Sequence, residues 1–396
     1  MGKTVVRYNR GPLKPVVLLI PLAAFVLLLL DWACPRPAPP PVQPPARNLT
    51  KTVMGYYPSW RRTALDHTQI NYEYLTHLAH AFTKPDAEGN LVVSEDYLYP
   101  ELLSEAHRQS VKVIMSIGGW GNCEGFPGMA ATLRTRNRFI GQVLDFVKEH
   151  HYDGVDIDWE FVSNAVEMQD FVSFVKELSA ALKAQSPPLL LTMAAPSGPY
   201  WGKWISYEAL AGDFDYISAM TYDYHGEWSD HSGHNSPLSS CGLDTCGSFN
   251  DSYLYFLSRS VPADKLLLGL AFFGRSFDCG ELYQKFQKSS YYGYVEVLDL
   301  LKAGWTHLWD DCAQVPYVRK PDQTMIVCYD DEESISLKCR YVLEKRAAGV
   351  IIWEITQDDD PGVPVLLKTV GDAFQKPDEG KQDKQEKKQS QKGERR

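Results

Sequence analysis

Eight short apolar runs lie between residues 53 and 355, and longer stretches separate each from the next. They read VMGYYPSW (53–60), YLTHLAHAF (74–82), VKVIMSIGG (111–119), YDGVDIDWE (152–160), LLLTMAAP (189–196), FDYISAMTYD (214–223), KLLLGLAFFG (265–274) and AAGVIIWEI (347–355). Apolar runs of this length predict buried strands. The stretches between them carry the helical period. Residues 134–150 place Phe139, Ile140, Val143, Phe146 and Val147 at helical spacing, and residues 168–184 do the same with Phe171, Phe174, Val175 and Leu178. Strand–helix alternation implies a parallel sheet, and eight units in one domain predict an α/β fold, a (β/α)8 TIM barrel. The last interval breaks the pattern. About 65 residues, 276–340, rich in Tyr and Trp, separate the seventh run from the eighth. They predict a small α+β insertion between strands 7 and 8, on the face where barrel active sites form.

The fourth run holds the chemistry. In an extended strand side chains alternate faces, so Asp156, Asp158 and Glu160 point one way while Val155, Ile157 and Trp159 point the other. In a barrel the acidic set faces the axis. Stacked carboxylates in a low-dielectric interior cannot all ionise cheaply, so at least one pKa rises, and a carboxylic acid that stays protonated near neutral pH can act as a general acid. Glu160, last along the strand, is expected at the C-terminal rim. A calcium loop would need Gly, Asn and broken apolar alternation, whereas β-prone Val, Ile and Trp interleave these acids.

The segment 153–160, DGVDIDWE, resembles the DxxDxDxE signature of family 18 of the glycoside hydrolases, the chitinase family, in which the final Glu is the acid. The resemblance extends from Val53 to about Phe374, with further matches in family order. Tyr56-Tyr57-Pro58-Ser59-Trp60 resembles the first strand, Ser116-Ile117-Gly118-Gly119-Trp120 the third, Met220-Thr221-Tyr222-Asp223 the sixth, Gly274-Arg275 the seventh and Trp353 the eighth. Tyr329-Asp330-Asp331 resembles the segment that closes the insertion of the deep-cleft chitinases.

The resemblance implies a substrate-assisted mechanism, this family being an exception to the two-carboxylate rule of retaining enzymes. Glu160 would protonate the leaving oxygen and then act as base toward water. Asp158 would orient the substrate acetamido N–H, Asp156 would hold or share a proton beneath it, and Tyr222 would donate its hydroxyl to the acetamido group. Trp353 would form the floor and Trp120 the leaving-side platform, with Tyr56, Met220, Thr221, Asp223 and Arg275 lining the pocket. Gly118 and Gly119 would allow close backbone approach, and Ser116 would hydrogen-bond to the aspartates. Three positions depart from the common pattern: Phe161 follows the acid and Phe273 precedes Gly274 where Tyr is frequent, and Gly121 follows Trp120 where Asn is common. Trp228, Trp305 and Trp309 are candidates to extend the cleft but read better as structural, and the lone His225 reads as structural or exposed.

Outside the barrel region, residues 1–14 are basic, 15–31 are almost wholly apolar, 32–50 are proline-rich and 376–396 are Lys, Gln and Glu with almost no apolar side chain. They predict a membrane-targeting segment, an extended stalk and a disordered tail around a catalytic unit at 51–375. Asp31-Trp32-Ala33 puts a charged residue where a cleavage site wants a small one. An uncleaved signal-anchor with a lumenal or extracellular barrel is therefore expected, with secretion as the alternative. Formal net charge is −10; removing the +4 of residues 1–14 and the +3 of 376–396 leaves about −17 for the body, which argues against a nucleic-acid partner. A chitin or N-acetylglucosamine oligosaccharide fits better, bound by a monomer. Two sequons, at Asn48 and Asn250, fit an oxidising compartment. Cys241 with Cys246 is a plausible small loop closure. No paired CxxC is present, so neither a metal nor a cofactor is expected. Two rival readings use the same site: an endo-β-N-acetylglucosaminidase acting on N-glycan cores or peptidoglycan, and a chitin-binding lectin, which Glu160 argues against.

Overall fold

The computed structural model describes residues 5–7, 48–242, 244–360 and 363–376. All eight apolar runs hold a strand: β1 Thr52–Pro58, β2 His77–Pro85, β3 Lys112–Gly118, β4 Gly154–Asp158, β5 Leu190–Pro196, β6 Tyr216–Met220, β7 Leu266–Ala271 and β8 Gly349–Trp353. Each pairs in parallel with its neighbours in chain order, and β8 pairs with β1, so the sheet closes as a (β/α)8 TIM barrel.

The two helices expected from periodicity are Leu133–Glu149 and Ala165–Lys183. Their starts are set by polar caps. Thr132 Oγ1 accepts the Thr135 N–H at 3.2 Å, and Asn164 Oδ1 accepts those of Val166 and Glu167, each at 3.0 Å, which satisfies donors the first turn leaves free. Their apolar stripes pack on the outside of the sheet with Val155, Ile157 and Trp159 of the fourth run. A second apolar cluster, with Met54, Tyr56, Ala79, Ile114 and Ile351, fills the barrel axis. Alternation thus places Val155, Ile157 and Trp159 in the helix–sheet layer and leaves Asp156 and Asp158 to the axis.

Between β7 and β8 stands a five-stranded antiparallel sheet in the order Ser289–Gly293, Phe273–Phe277, Ile326–Cys328, Val315–Arg319, Thr306–Asp310, with the helix Tyr294–Lys302. The sheet begins three residues before the range expected for the insertion. It ends at Cys328 rather than near 340, because Glu332–Glu344 is a helix against β8 and the C-terminal helix Val365–Phe374. That helix is tied in by a buried ion pair: Lys338 Nζ lies 2.6 and 2.7 Å from the Asp330 oxygens and donates to Ser236 O and Oγ.

The loop closure anticipated between Cys241 and Cys246 is not the one formed. Cys241 bonds to Cys312, 71 residues on, and fastens the loop after β6 to the inserted sheet, leaving Cys246 free and exposed. Asn48 is exposed, whereas Asn250 lies in the first turn of the helix Phe249–Ser258 and accepts Tyr341 OH at 2.8 Å. No helix among the described residues is long and apolar enough to cross a membrane. The apolar segment 15–31, most of the proline-rich stretch and the tail from 377 lie outside the described residues. Val5–Arg7 pair antiparallel with Leu91–Ser94, at the edge of β2.

Candidate active site

Parallel registers set the polar inner faces of neighbouring strands level. Asp156 on β4 lies beside Ser116 on β3 and Thr192 on β5, and Asp158 lies beside Gly118. Asp156 is fully buried and accepts three hydroxyls: Thr192 Oγ1 at 2.6 Å, Ser116 Oγ at 2.7 Å and Tyr56 OH at 2.8 Å. Burial pushes its carboxyl up, and these donors pull against that rise. Asp158, one layer higher, has a buried Oδ1 without a hydrogen-bond partner among the described residues. Burial, then Glu160, then Asp156 hold its carboxyl well above the usual carboxylate range. Three hydroxyl donors favour a charge on Asp156 and none does so at Asp158 Oδ1, so burial raises the Asp158 carboxyl with no opposing donor.

Glu160 lies two residues past the end of β4, partly exposed at the C-terminal rim. Burial pushes its carboxyl up to about 7, with Asp223 the second cause and the Trp120 backbone N–H opposing. The sequence pattern pointed to repulsion within the carboxylate stack; the larger cause at Glu160 is desolvation. Tyr222 is buried, and burial, Asp158, Glu160 and Asp223 hold its hydroxyl well above the ordinary tyrosine value, so it stays a proton donor facing the acids. Asp223 has positive φ and accepts Arg275 Nε at 2.8 Å. The Arg275 guanidinium also lies 5.1 Å over Trp228, which places that tryptophan beside a pocket residue, as the cleft-extending alternative expects.

The other expected residues divide. Trp353, at the end of β8, stacks on Phe82 at 5.8 Å and 14° and meets Tyr56 at 5.6 Å. Trp120 is 78% exposed above β3, free to offer a face to a sugar ring. Phe161 stacks on Trp201 at 5.2 Å. Met220 packs with the axial cluster. Gly118 and Gly119 both have positive φ, and a Cβ on Gly118 would meet Asp158 O at 2.1 Å, so any side chain there would push the acid strand away. Thr221 is the exception: it is fully buried and its hydroxyl donates to Gly269 O at 2.7 Å, so it joins β6 to β7 instead of facing the cleft. Trp305 packs against the core, and Trp309 sits in the inserted sheet opposite Pro316.

Three contributors went unnoticed in the sequence. Thr192 was legible, since it faces the axis one strand from Asp156. Asn235, whose Oδ1 accepts the Asp223 N–H at 3.2 Å and whose Nδ2 donates to Phe273 O at 3.1 Å, was not. Nor was Cys123, whose Sγ accepts the Glu160 N–H at 3.1 Å and lies 3.3 Å from Asp158 O, directly behind the acid.

Comparison with known proteins agrees with this geometry. The pattern described as "Glycosyl hydrolases family 18" matches residues 52–358. A "Probable endochitinase" of Caenorhabditis elegans is 32% identical over 274 residues, covering 63% of this chain and 44% of that protein. "Chitinase A1" of Niallia circulans is 32% identical over 295 residues, covering 65% and 42%. The chain thus spans less than half the length of these two relatives. The structure of a Group IV chitinase of Ostrinia furnacalis in complex with allosamidin superposes with a TM-score of 0.74 at 28% identity, covering 81% of this chain and 98% of that one. With a family pattern spanning the whole barrel, from β1 to just beyond β8, and relatives and a solved structure that agree with it, the chain belongs to glycosyl hydrolase family 18.

Proposed function

We propose that the chain is a retaining chitinase that hydrolyses β-1,4-linked N-acetylglucosamine polymers by substrate-assisted catalysis. The observation that carries the reading is the graded acid stack: a solvated Asp156, a desolvated Asp158 with an unpartnered oxygen, and a rim Glu160 poised near 7. Glu160 gives its proton to the glycosidic oxygen while the substrate acetamido oxygen attacks the anomeric carbon and displaces the leaving sugar. Asp158 turns to the acetamido N–H, and Tyr222 donates to the acetamido oxygen. Water then opens the oxazolinium ion, giving its proton to Glu160 and returning the β-anomer. Trp353 and Trp120 supply apolar faces for sugar rings, and Asp223 and Arg275 the fixed polar groups. Similarity to a probable endochitinase and to Chitinase A1 supports chitin over other glycans.

In this reading residues 51–375 form a monomeric catalytic unit, and 15–31 direct it across a membrane. The pairing of Val5–Arg7 with Leu91–Ser94 does not separate the anchored from the secreted form, because an inserted anchor would part the two strands and cleavage after the apolar segment would remove the first. N-terminal sequencing of the mature protein decides between them.

The test of function is incubation of the purified protein with N-acetylchitohexaose, following products and anomers by chromatography beside Glu160→Gln. Shorter β-anomeric oligomers from the wild type alone support the proposal. Hexamer that binds without cleavage points to a lectin, and no binding points to N-glycan or peptidoglycan substrates.

A further inference from the structure

The loop from Asp223 to Ser248 carries a cluster that the proposed hydrolysis does not use. His225 is fully buried, and its Nδ1 donates to His234 O at 3.1 Å, which leaves Nε2 with the lone pair. That Nε2 is buried and has no hydrogen-bond partner among the described residues, a costly state for a polar atom; its nearest acid is Asp244 Oδ1 at 3.5 Å. The ring cannot turn away. A Cβ on Gly233 would already sit 2.5 Å from its Cε1 and Nδ1, so the backbone holds the imidazole in one orientation. His231 repeats the arrangement, its Nδ1 donating to Ser232 O at 3.0 Å and its Nε2 3.5 Å from the exposed Asp230 Oδ1. The two rings are 5.1 Å apart. One donor atom each from His225, His231 and the free Cys246 lie within 4.8 Å of one another, and Cys246 N–H donates to Asp244 Oδ1 at 2.9 Å.

An imidazole that spends one nitrogen on a carbonyl and presents the other bare is the usual state of a metal-bound histidine. We propose that His225, His231 and Cys246, with Asp244 as fourth ligand, form a structural zinc site that clamps the loop after β6. Two nitrogens, a thiolate sulfur and a carboxylate oxygen are the donors that a tetrahedral zinc takes, at bond lengths of about 2.0–2.3 Å. Such bonds set neighbouring donors roughly 3.3–3.8 Å apart by tetrahedral geometry. His231 and Cys246, on the outer edge of the loop, close onto the fixed His225. The loop also holds Asn235, which braces Asp223, so the clamp supports the rim from outside the cleft. No CxxC pair announces the site, since its ligands come from a His-x5-His pair and a cysteine fifteen residues further on.

The full chain, purified without a histidine tag, is analysed for metal by mass spectrometry, then stripped with chelator and titrated with cobalt(II). The expected result is about one zinc per chain and, with cobalt, a thiolate charge-transfer band beside the intense visible bands of a tetrahedral ion. In Cys246→Ser the charge-transfer band disappears, and in His231→Ala cobalt affinity falls at least 100-fold, with circular dichroism unchanged in both. Stripping lowers the wild-type melting temperature and leaves that of Cys246→Ser unmoved. A wild type that gives no thiolate band, or a band that survives in Cys246→Ser, overturns the proposal.

Discussion

The acid–base assignment makes a quantitative demand on Asp223. Two causes raise Glu160 from 4.5 to about 7, burial the larger and Asp223 the smaller. Replacing Asp223 with Asn removes the smaller cause and leaves burial in place. It also frees the Arg275 guanidinium, now 2.8 Å from the carboxylate, to act as an unpaired cation near the acid, which pushes in the same direction. Since Asp223 is the lesser of the two, its removal lowers the Glu160 pKa by on the order of one pH unit, equivalent to about 1.4 kcal/mol. A general acid is active while protonated, so kcat/KM of the wild type falls as pH rises through about 7, and in Asp223→Asn the same fall begins about one pH unit lower. The assay is initial-rate hydrolysis of a chitin oligosaccharide between pH 4 and about 9, fitting the alkaline limb separately from the plateau. A lower plateau alone reports the lost Arg275 contact. A limb that stays in place or moves upward refutes the assignment of Glu160 as the titrating acid in the field of Asp223.

The same elevated pKa costs stability when the group is charged. Below about 4.5 Glu160 is protonated folded and unfolded alike; between 4.5 and about 7 the folded state holds the extra proton, so stability is lost as pH rises through that window. Glu160→Gln is therefore expected to melt higher than the wild type at pH 8, by up to about 3 kcal/mol, with the gain vanishing near pH 4; equal melting at pH 8 would contradict the buried-charge account. Lys338→Met leaves Asp330 buried beside Ser334 without its cation, and should cost roughly 3–5 kcal/mol in urea unfolding, whereas Lys338→Met with Asp330→Leu should recover most of it. Replacing Cys241 and Cys312 together with Ala opens a 71-residue loop, worth roughly 4 kcal/mol in the chain-entropy account; an unchanged melting temperature would show that the inserted sheet holds the loop unaided.

The barrel, its eight strands and the inward orientation of Asp156 and Asp158 were legible in the order of residues alone. Those follow from period: alternation along one strand and the helical repeat between strands are local properties, written in consecutive residues such as 153–160 and 134–150. The outward faces followed for the same reason. Whatever depends on register between strands, or on which loop folds over which, belonged to the tertiary structure alone. Thr192 solvates Asp156 only because β5 is level with β4, and Cys123 backs Glu160 only because the loop after β3 crosses behind the end of β4. Thr221, although it sits in a motif with Met220, Tyr222 and Asp223, faces β7 because of how the end of β6 meets Gly269. Cysteine partnership went the same way. Cys241 is five residues from Cys246 in the chain, yet the folded loop sets it against Cys312 and turns Cys246 toward His225 and His231. Contacts between residues far apart in sequence are fixed by packing and closure of the whole barrel, and no window of neighbouring residues carries that information.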